Sequence, residues 1–306
     1  MPIALLTDRA VISIAGEDAT SFLAGLVTCA VDDAGAARFG ALLTPQGKII
    51  ADFFLVGRQG IAGQDIGGQG GQKGFLIDAP KSVADTLLKR LTIYKLRAKV
   101  TLAATELCVF ASLGEGVAPV QDTVSFTDPR YAAMGERLIG SAAALASRLD
   151  AAPSAYEAHR IGLAMPQGGR DFAYGDAFPH EACLDQLGGV DFEKGCYVGQ
   201  EVVSRTQHRG TARTRVVALR VSGPVAEGAQ ITAGDRPLGQ VGSVDAAQGR
   251  AIALLRLDRL AEALAANSPL LAGDTLVRAE KPGWARYAFP EITAQENPKE
   301  PTSMNR

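Results

Sequence analysis

The sequence predicts an α+β core that is followed by a small antiparallel β-barrel. Up to about residue 210, short strand-like apolar runs alternate with segments whose apolar residues recur at helical spacing. After Gly210 the apolar runs become short and are separated by Gly, Pro and Asp turns, which is typical of a small barrel. The predicted organisation is therefore a core over residues 1–210, a barrel over 211–290 and a polar tail over 291–306.

The core elements are predicted from apolar periodicity and from turn residues. A turn over residues 44–47 carries Pro and Gly at positions that suit them, and it leads into an apolar strand. A helix is predicted to carry Phe22, Leu23, Leu26 and Val27, following the acidic residues at 17 and 18. The other predicted core elements are strands at 10–14, 48–56, 74–79, 98–103 and 107–112, and helices at 81–92, 141–149 and 155–163.

The predicted barrel has four strands and one helix. The strands are expected at 214–221, 238–244, 250–255 and 276–279, and the helix near 257–266. In the core, residues 57–74 are rich in Gly and Gln and predict a long flexible hairpin loop. That loop lacks the spacing of a phosphate-binding motif.

Composition favours a globular protein, since 47% of the residues are hydrophobic and 21% are charged. The formal net charge of -2 does not favour binding to DNA or to an acidic membrane, so no membrane partner is expected. A local basic patch is compatible with this net charge. The four cysteines are far apart and only three histidines are present, so no metal site is predicted. Dispersed, reduced thiols indicate a cytoplasmic protein.

The segment over residues 191–215 is the densest in candidate chemistry. Gly195 and Gly199 flank Cys196, and Lys194 lies two residues before the thiol. A nearby cation, or a helix beginning at the cysteine, would favour the thiolate and make the sulfur a better nucleophile or metal ligand. The alternative is a buried cysteine that acts as a small hydrophobic residue. Local sequence leaves both interpretations open.

Two further features are candidates for ligand contacts. Residues 194–220 are basic and form either a solvated face or an anion site in which arginines bind carboxylates or phosphates. Glu181 lies in a loop rich in Gly and Pro, where a carboxylate could accept hydrogen bonds from an amino-pyrimidine edge. The alternative for Glu181 is a surface or helix-capping acid.

Residues 194–201 resemble the KGCYxGQE motif of the YgfZ family, which includes mitochondrial factors for late iron–sulfur assembly. Supporting blocks occur in the family's order. They lie at residues 43–48, 94–100, 160–166, 179–181 and 205–210. The chain is therefore identified as a member of the YgfZ-like, folate-binding branch of the glycine-cleavage T-protein superfamily.

The resemblance implies a T-protein-like fold, in which a two-part mixed α/β core forms a folate channel and a C-terminal antiparallel β-barrel closes it. By this resemblance Cys196, with Lys194, is the functional thiol, and Glu181 holds the pterin edge. Arg205 and Arg213 are expected to meet the glutamate tail of tetrahydrofolate or a related folate. The remaining folate-site candidates are Asp52, Tyr197, Gln200 and Glu201.

One difference from the T-protein pattern argues against aminomethyltransferase activity. The T protein carries an acidic pair where this chain has Ala51 and Asp52, so one acid is missing. The expectation is a folate-binding accessory protein for assembly or repair of 4Fe–4S clusters, with iron–sulfur assembly proteins and client enzymes such as tRNA methylthiolases as partners. It would make a transient contact with the cluster. The alternatives are a folate-dependent aminomethyltransferase or demethylase and a tRNA-binding module.

Overall fold

The computed structural model describes residues 2–31, 36–57, 74–114, 116, 120–210 and 212–290. The hairpin loop predicted between residues 57 and 74 and the polar tail predicted over 291–306 lie outside the described residues. Among the described residues, no helix is both long enough and apolar enough to cross a bilayer.

The described chain contains antiparallel strands and short α-helices. The strands are β1 (Ile3–Leu5), β2 (Arg9–Ala15), β3 (Arg38–Leu43), β4 (Ile49–Gly57), β5 (Gly74–Pro80), β6 (Thr101–Ala104), β7 (Cys108–Ser112), β8 (Thr123–Thr127), β9 (Glu136–Gly140), β10 (Thr214–Val221), β11 (Gln230–Ala233), β12 (Arg236–Asp245), β13 (Arg250–Arg256), β14 (Leu270–Ala272) and β15 (Thr275–Glu280). The α-helices are α1 (Ala19–Ala24), α2 (Lys81–Lys95), α3 (Ala142–Leu145), α4 (Pro153–Gly162), α5 (Gln200–Arg209) and α6 (Leu257–Ala265).

Two sheets build the core. The larger has the strand order β3-β4-β5-β2-β6, and the smaller has the order β1-β7-β9-β8. One face of the larger sheet is covered by α1 and α2, which contribute Leu23, Leu87 and Leu91 to a buried apolar layer. The other face looks into a central cluster that also receives side chains from the smaller sheet.

The third sheet is a closed barrel with the order β10-β13-β12-β11-β14-β15, which confirms the predicted C-terminal barrel. Closure pairs every barrel strand on both sides and leaves no free edge. The barrel does not stand apart, because Val216 and Ile252 from its wall pack into the same central cluster as Leu43 and Ile139 of the core sheets. The three sheets therefore share one core. The predicted domain boundary at residue 210 stays a prediction.

Buried ion pairs join the two core sheets. Asp78 on β5 is fully buried and accepts hydrogen bonds from Arg9 Nε at 2.6 Å and Arg137 Nη1 at 2.7 Å. Arg137 lies on β9 of the smaller sheet and also approaches Asp128, which Arg130 binds through two guanidinium nitrogens. Burial opposes ionisation of Asp128, but Arg130 and Arg137 outweigh it and lower its pKa.

Several elements differ from the sequence-based expectation. The first helix ends at Ala24, so Leu26 and Val27 lie beyond it although both are buried. Strands β1, β3, β8, β9, β11 and β14 and helix α5 were not predicted. Helix α5 escapes detection because only Val203 of its ten residues is buried, so it lacks a continuous apolar stripe. The short strands are defined by their partners in the sheet, and isolated three- to six-residue runs carry little periodic signal.

The buried network predicts a large penalty for removing one charge. Asp78→Asn leaves the Arg9 guanidinium without its buried counter-charge and leaves Arg137 with Asp128 alone. It should lower the free energy of unfolding by about 3–5 kcal/mol, as measured by denaturant titration. The control is Glu17→Gln, which breaks the exposed Lys99–Glu17 pair and should leave the denaturation midpoint unchanged. Equal effects of the two substitutions would contradict a structural role for the buried network.

Candidate functional site

The loop that carries Cys196 is held down on both sides. Lys194 Nζ donates hydrogen bonds to the carbonyl oxygens of Val27 and Cys29, each at 2.7 Å. The backbone N–H of Asp191 donates to the carbonyl of Thr28 at 2.9 Å, and its side chain accepts from the N–H groups of residues 193 and 194. Partial burial lowers the pKa of Lys194. The ammonium group therefore fixes the loop to the segment after α1.

Two glycines let the start of α5 approach the turn before β4. Gly199 precedes the helix with φ +84°, and a Cβ there would lie 2.6 Å from the carbonyl oxygen of Thr44. Gly47 lies opposite with φ +79°, and a Cβ on it would lie 2.9 Å from Val202. Side chains at either position would push the two segments apart. The Cys196 loop, the turn over residues 44–47 and the start of α5 are therefore packed against one another.

Cys196 is exposed at the surface of this loop, whereas Cys29 and Cys183 are buried. Burial raises the pKa of the Cys29 and Cys183 thiols to about 12. A helix beginning at the cysteine is not present, because α5 begins at Gln200, four residues later. The chain reaches α5 only after the left-handed turn at Gly199. Cys196 is thus an accessible thiol on a fixed loop, and the interpretation as a buried hydrophobic residue is wrong for this cysteine.

The other motif residues divide between structure and surface. Tyr197 is buried, its backbone N–H donates to Gln200 Oε1 at 3.3 Å, and its ring lies 5.4 Å from Lys194 Nζ. Glu201 and Arg205 lie one turn apart on the exposed face of α5. Tyr197 and Gln200 therefore shape the loop, while Glu201 and Arg205 are presented to solvent beyond it.

A cavity of about 310 Å³ brings Glu181 and Arg213 together. Glu181 Oε2 accepts a hydrogen bond from the backbone N–H of Phe178 at 2.9 Å, so one carboxylate oxygen fixes the loop that carries it. Lys48 Nζ lies 3.6 Å from the centre of the Phe178 ring, and this cation–π contact stabilises the side of the cavity that Phe178 forms. The lining residues are Phe178, His180, Glu181, Thr206, Ala212, Arg213, Thr214 and Arg256.

His180 also lines this cavity and was not among the predicted site residues. Its Nε2 lies 3.1 Å from Gln207 Oε1, and its buried Nδ1 has no hydrogen-bond partner. With the Gln207 amide oxygen facing Nε2, the neutral ring donates from Nε2, and Nδ1 then carries a lone pair without a partner. Burial lowers the pKa of His180, which favours this neutral form. Its position beside Glu181 in the 179–181 block was the one sequence signal for it.

Asp52 lies elsewhere, in a cavity of only about 20 Å³. Its carboxylate accepts a hydrogen bond from the hydroxyl of Tyr174. Burial and the Asp52 charge both raise the pKa of Tyr174 well above its ordinary value, so the phenol remains a donor. The structure therefore brings Glu181 and Arg213 together, but it lines a separate cavity with Asp52, and that cavity has room for on the order of one water molecule.

Arg160 of the 160–166 block and Arg215 of the basic segment stabilise the fold. Arg160 is buried and donates to the carbonyl of Met165 at 2.8 Å, to Asp171 at 2.8 Å and to Ser243 of β12 at 2.7 Å. Arg215 on β10 donates to the carbonyl of His180 and to Asp185, each at 2.7 Å. These contacts clamp the loop that carries Glu181 to the barrel. Among the described residues, no group of three or more His, Cys, Asp or Glu side chains is arranged to hold a metal ion.

Comparison with known proteins identifies relatives of the chain. Residues 213–287 match the family model described as the CAF17 C-terminal beta-barrel domain. The chain is 33% identical over 287 residues to the iron-sulfur cluster assembly factor IBA57 of Mus musculus, a match that covers 83% of this chain and 77% of that protein. The Homo sapiens protein is 34% identical over 245 residues, covering 72% of this chain and 66% of that protein.

The match to the Neurospora crassa homologue of IBA57 is 34% identical over 233 residues and covers 69% of this chain. It spans about half, 52%, of that protein's length. These relatives are named as mitochondrial proteins, which contradicts the expected cytoplasmic location. Free, dispersed cysteines indicate a reducing environment, but they do not distinguish one reducing compartment from another.

The fold has a solved counterpart. The glycine cleavage system aminomethyltransferase T from Bartonella henselae superposes with a TM-score of 0.68 at 16% sequence identity, covering 92% of this chain and 84% of that chain. At this identity the likeness establishes the fold alone, and it confirms the T-protein-like architecture expected from the sequence. Because the IBA57 of Mus musculus matches across most of both chains, this chain belongs to the family of the iron–sulfur cluster assembly factor IBA57.

Proposed function

We propose that this protein is a YgfZ-like iron–sulfur cluster assembly factor that acts through the thiol of Cys196. The observation that carries the proposal is an exposed thiol on a loop that Lys194 and Asp191 anchor to residues 27–29. A fixed loop presents the sulfur in one position, so a partner can meet it without first ordering the chain.

The chemistry of the thiol fits contact with a cluster. Cysteine thiolates are the usual ligands of iron in iron–sulfur clusters, and a cluster takes several of them. The other cysteines are buried or only partly accessible, so this chain offers one exposed thiol. A cluster at Cys196 would therefore take its remaining ligands from a partner, which suits a transient role in assembly or repair of 4Fe–4S clusters in client enzymes, among them tRNA methylthiolases.

The second part of the proposal places tetrahydrofolate in the cavity that Glu181 and Arg213 line. Glu181 accepts hydrogen bonds from the amino-pyrimidine edge, and the Arg213 guanidinium binds a carboxylate of the glutamate tail. A volume of about 310 Å³ lies at the small end of ligand cavities, so one end of the folate is enclosed and the rest lies at the surface. Asp52 has no role in this arrangement, because it lines the separate, smaller cavity.

Thiol labelling tests the accessibility of the cysteine. In the native protein at neutral pH, Cys196 should react rapidly with a thiol reagent, and Cys196→Ser should abolish that fast phase. Cys29 and Cys183 should react only after unfolding, because they are buried and their raised pKa of about 12 keeps them protonated. Persistence of the fast phase in Cys196→Ser would show that another thiol is the accessible one.

Genetic complementation tests the role in assembly. In cells that lack the gene, the wild-type protein should restore the activity of 4Fe–4S enzymes, and Cys196→Ser should restore little or none. Cys108→Ser is the matched control, because it removes a partly accessible thiol from β7 of the smaller sheet and should restore full activity. Full rescue by Cys196→Ser at normal protein abundance would remove the thiol from the mechanism.

Calorimetric titration with tetrahydrofolate tests the cavity. Glu181→Gln and Arg213→Ala should each weaken binding by roughly ten- to a hundredfold, since each removes a charge-assisted hydrogen bond worth roughly 1.5–3 kcal/mol. Asp52→Asn is the control and should bind with unchanged affinity. If Asp52→Asn alone abolished binding, the folate site would lie elsewhere. Steady methylene transfer from an amine donor by the purified protein would instead favour the aminomethyltransferase alternative.

A further inference from the structure

The C-terminal end of α2 carries an exposed surface that the proposed function does not use. We call it the α2 end patch, and it consists of Lys89, Arg90, Ile93, Lys95, Leu96 and Arg97. Its two aliphatic side chains are among the most exposed large hydrophobic residues described, with 65% of Ile93 and 89% of Leu96 accessible. Because most of the surface of these two side chains stays in water, their burial contributes little to the stability of the fold.

The packing of α2 does not require these side chains. The helix is already anchored on the larger sheet through Ala84, Leu87 and Leu91, which are its buried residues. Leu96 follows the last helical residue with φ +43°, in the left-handed region where glycine is the usual residue. A leucine there costs backbone strain and loses the benefit of burial. An exposed, strained leucine at a helix end indicates a contact made outside this chain.

The charges of the patch also indicate a contact made outside this chain. Among the described residues, Lys89, Arg90, Lys95 and Arg97 have no ion-pair partner, whereas the nearby Lys99 binds Glu17 at 2.8 Å. Four unpaired cations in nine residues form a concentrated positive field on a chain whose formal net charge is -2. The bulk charge repels an anionic surface, so any attraction to such a surface must come from a local group of this kind.

We infer that the α2 end patch docks this protein onto an anionic phospholipid surface. Exposed aliphatic side chains surrounded by Lys and Arg are the composition that peripheral membrane contacts use, since the chains insert and the cations meet the headgroups. A protein interface is disfavoured, because lysine is depleted there and aromatic anchors are enriched. RNA is disfavoured because the patch has no exposed aromatic side chain for base stacking, Tyr94 being partly buried.

This contact is peripheral and reversible. Two aliphatic side chains supply limited insertion, so the cations carry much of the attraction, and each strengthens binding to an anionic leaflet by about fivefold. The contact is therefore weakened by salt. It is independent of Cys196 and of the folate cavity, so its failure leaves the proposed function standing.

Vesicle co-sedimentation of the full chain tests the inference. Wild-type protein should sediment with phosphatidylcholine vesicles that contain phosphatidylglycerol and should stay in solution with vesicles of phosphatidylcholine alone. Arg97→Glu should weaken binding by roughly tenfold or more, because it removes one attractive charge and adds a repulsive one. Leu96→Gly should also weaken it while raising the thermal midpoint of unfolding, because glycine relieves the positive φ.

The matched control is Lys81→Glu, the same charge change at the exposed first residue of α2, roughly 20 Å along the helix from the end at which Leu96 and Arg97 lie. It should leave vesicle binding unchanged. Absence of wild-type binding to the anionic vesicles would overturn the inference, as would an equal loss with Lys81→Glu and Arg97→Glu. Retention of tRNA that Arg97→Glu abolishes, without vesicle binding, would assign the patch to nucleic acid and overturn it too.

Discussion

Asp78 lies where the two sheets of the core meet, with its carboxylate fully buried between the guanidinium groups of Arg9 and Arg137. A charge in that position is tolerated only when its partners keep their geometry, because removing one partner leaves the others unpaired in a region of low dielectric. The network continues through Asp128 and Arg130, and Phe54 lies beneath three of the guanidinium groups. The relative position of the sheets is therefore constrained by electrostatics as well as by apolar packing.

A second buried pair extends this constraint to the barrel and to the loops near the cavity. Arg160 and Asp171 bind each other, and both contact Ser243 on β12. Arg215 ties the loop that carries Glu181 to β10. The loop of Cys196 is fixed by a different means, through lysine and backbone hydrogen bonds to residues 27–29. The accessible thiol and the cavity are thus both held by the shared core, although neither is part of it.

The polar groups that the resemblance assigns to folate lie in two separate places in this structure. Asp52 is buried against Tyr174 in a cavity with room for little more than water, while Glu181 and Arg213 line a larger cavity near the barrel. The residues expected to bind folate are therefore divided between two cavities.

The barrel could be predicted from sequence, because clear turn residues separate β10, β12, β13 and β15, although β11 and β14 were missed. The role of Cys196, which lies within an eight-residue pattern, stays a prediction. In the larger sheet, the apolar runs predicted β2, β4, β5 and β6 but not β3, which was recognised only from its pairing with β4. Only the tertiary structure decided that Lys194 binds two carbonyl groups, that α5 begins after Gly199, and that Asp52 lines a different cavity from Glu181. The physical reason is that these outcomes depend on contacts between segments far apart in the chain. Periodicity and propensity describe only local preferences, so they could not supply them.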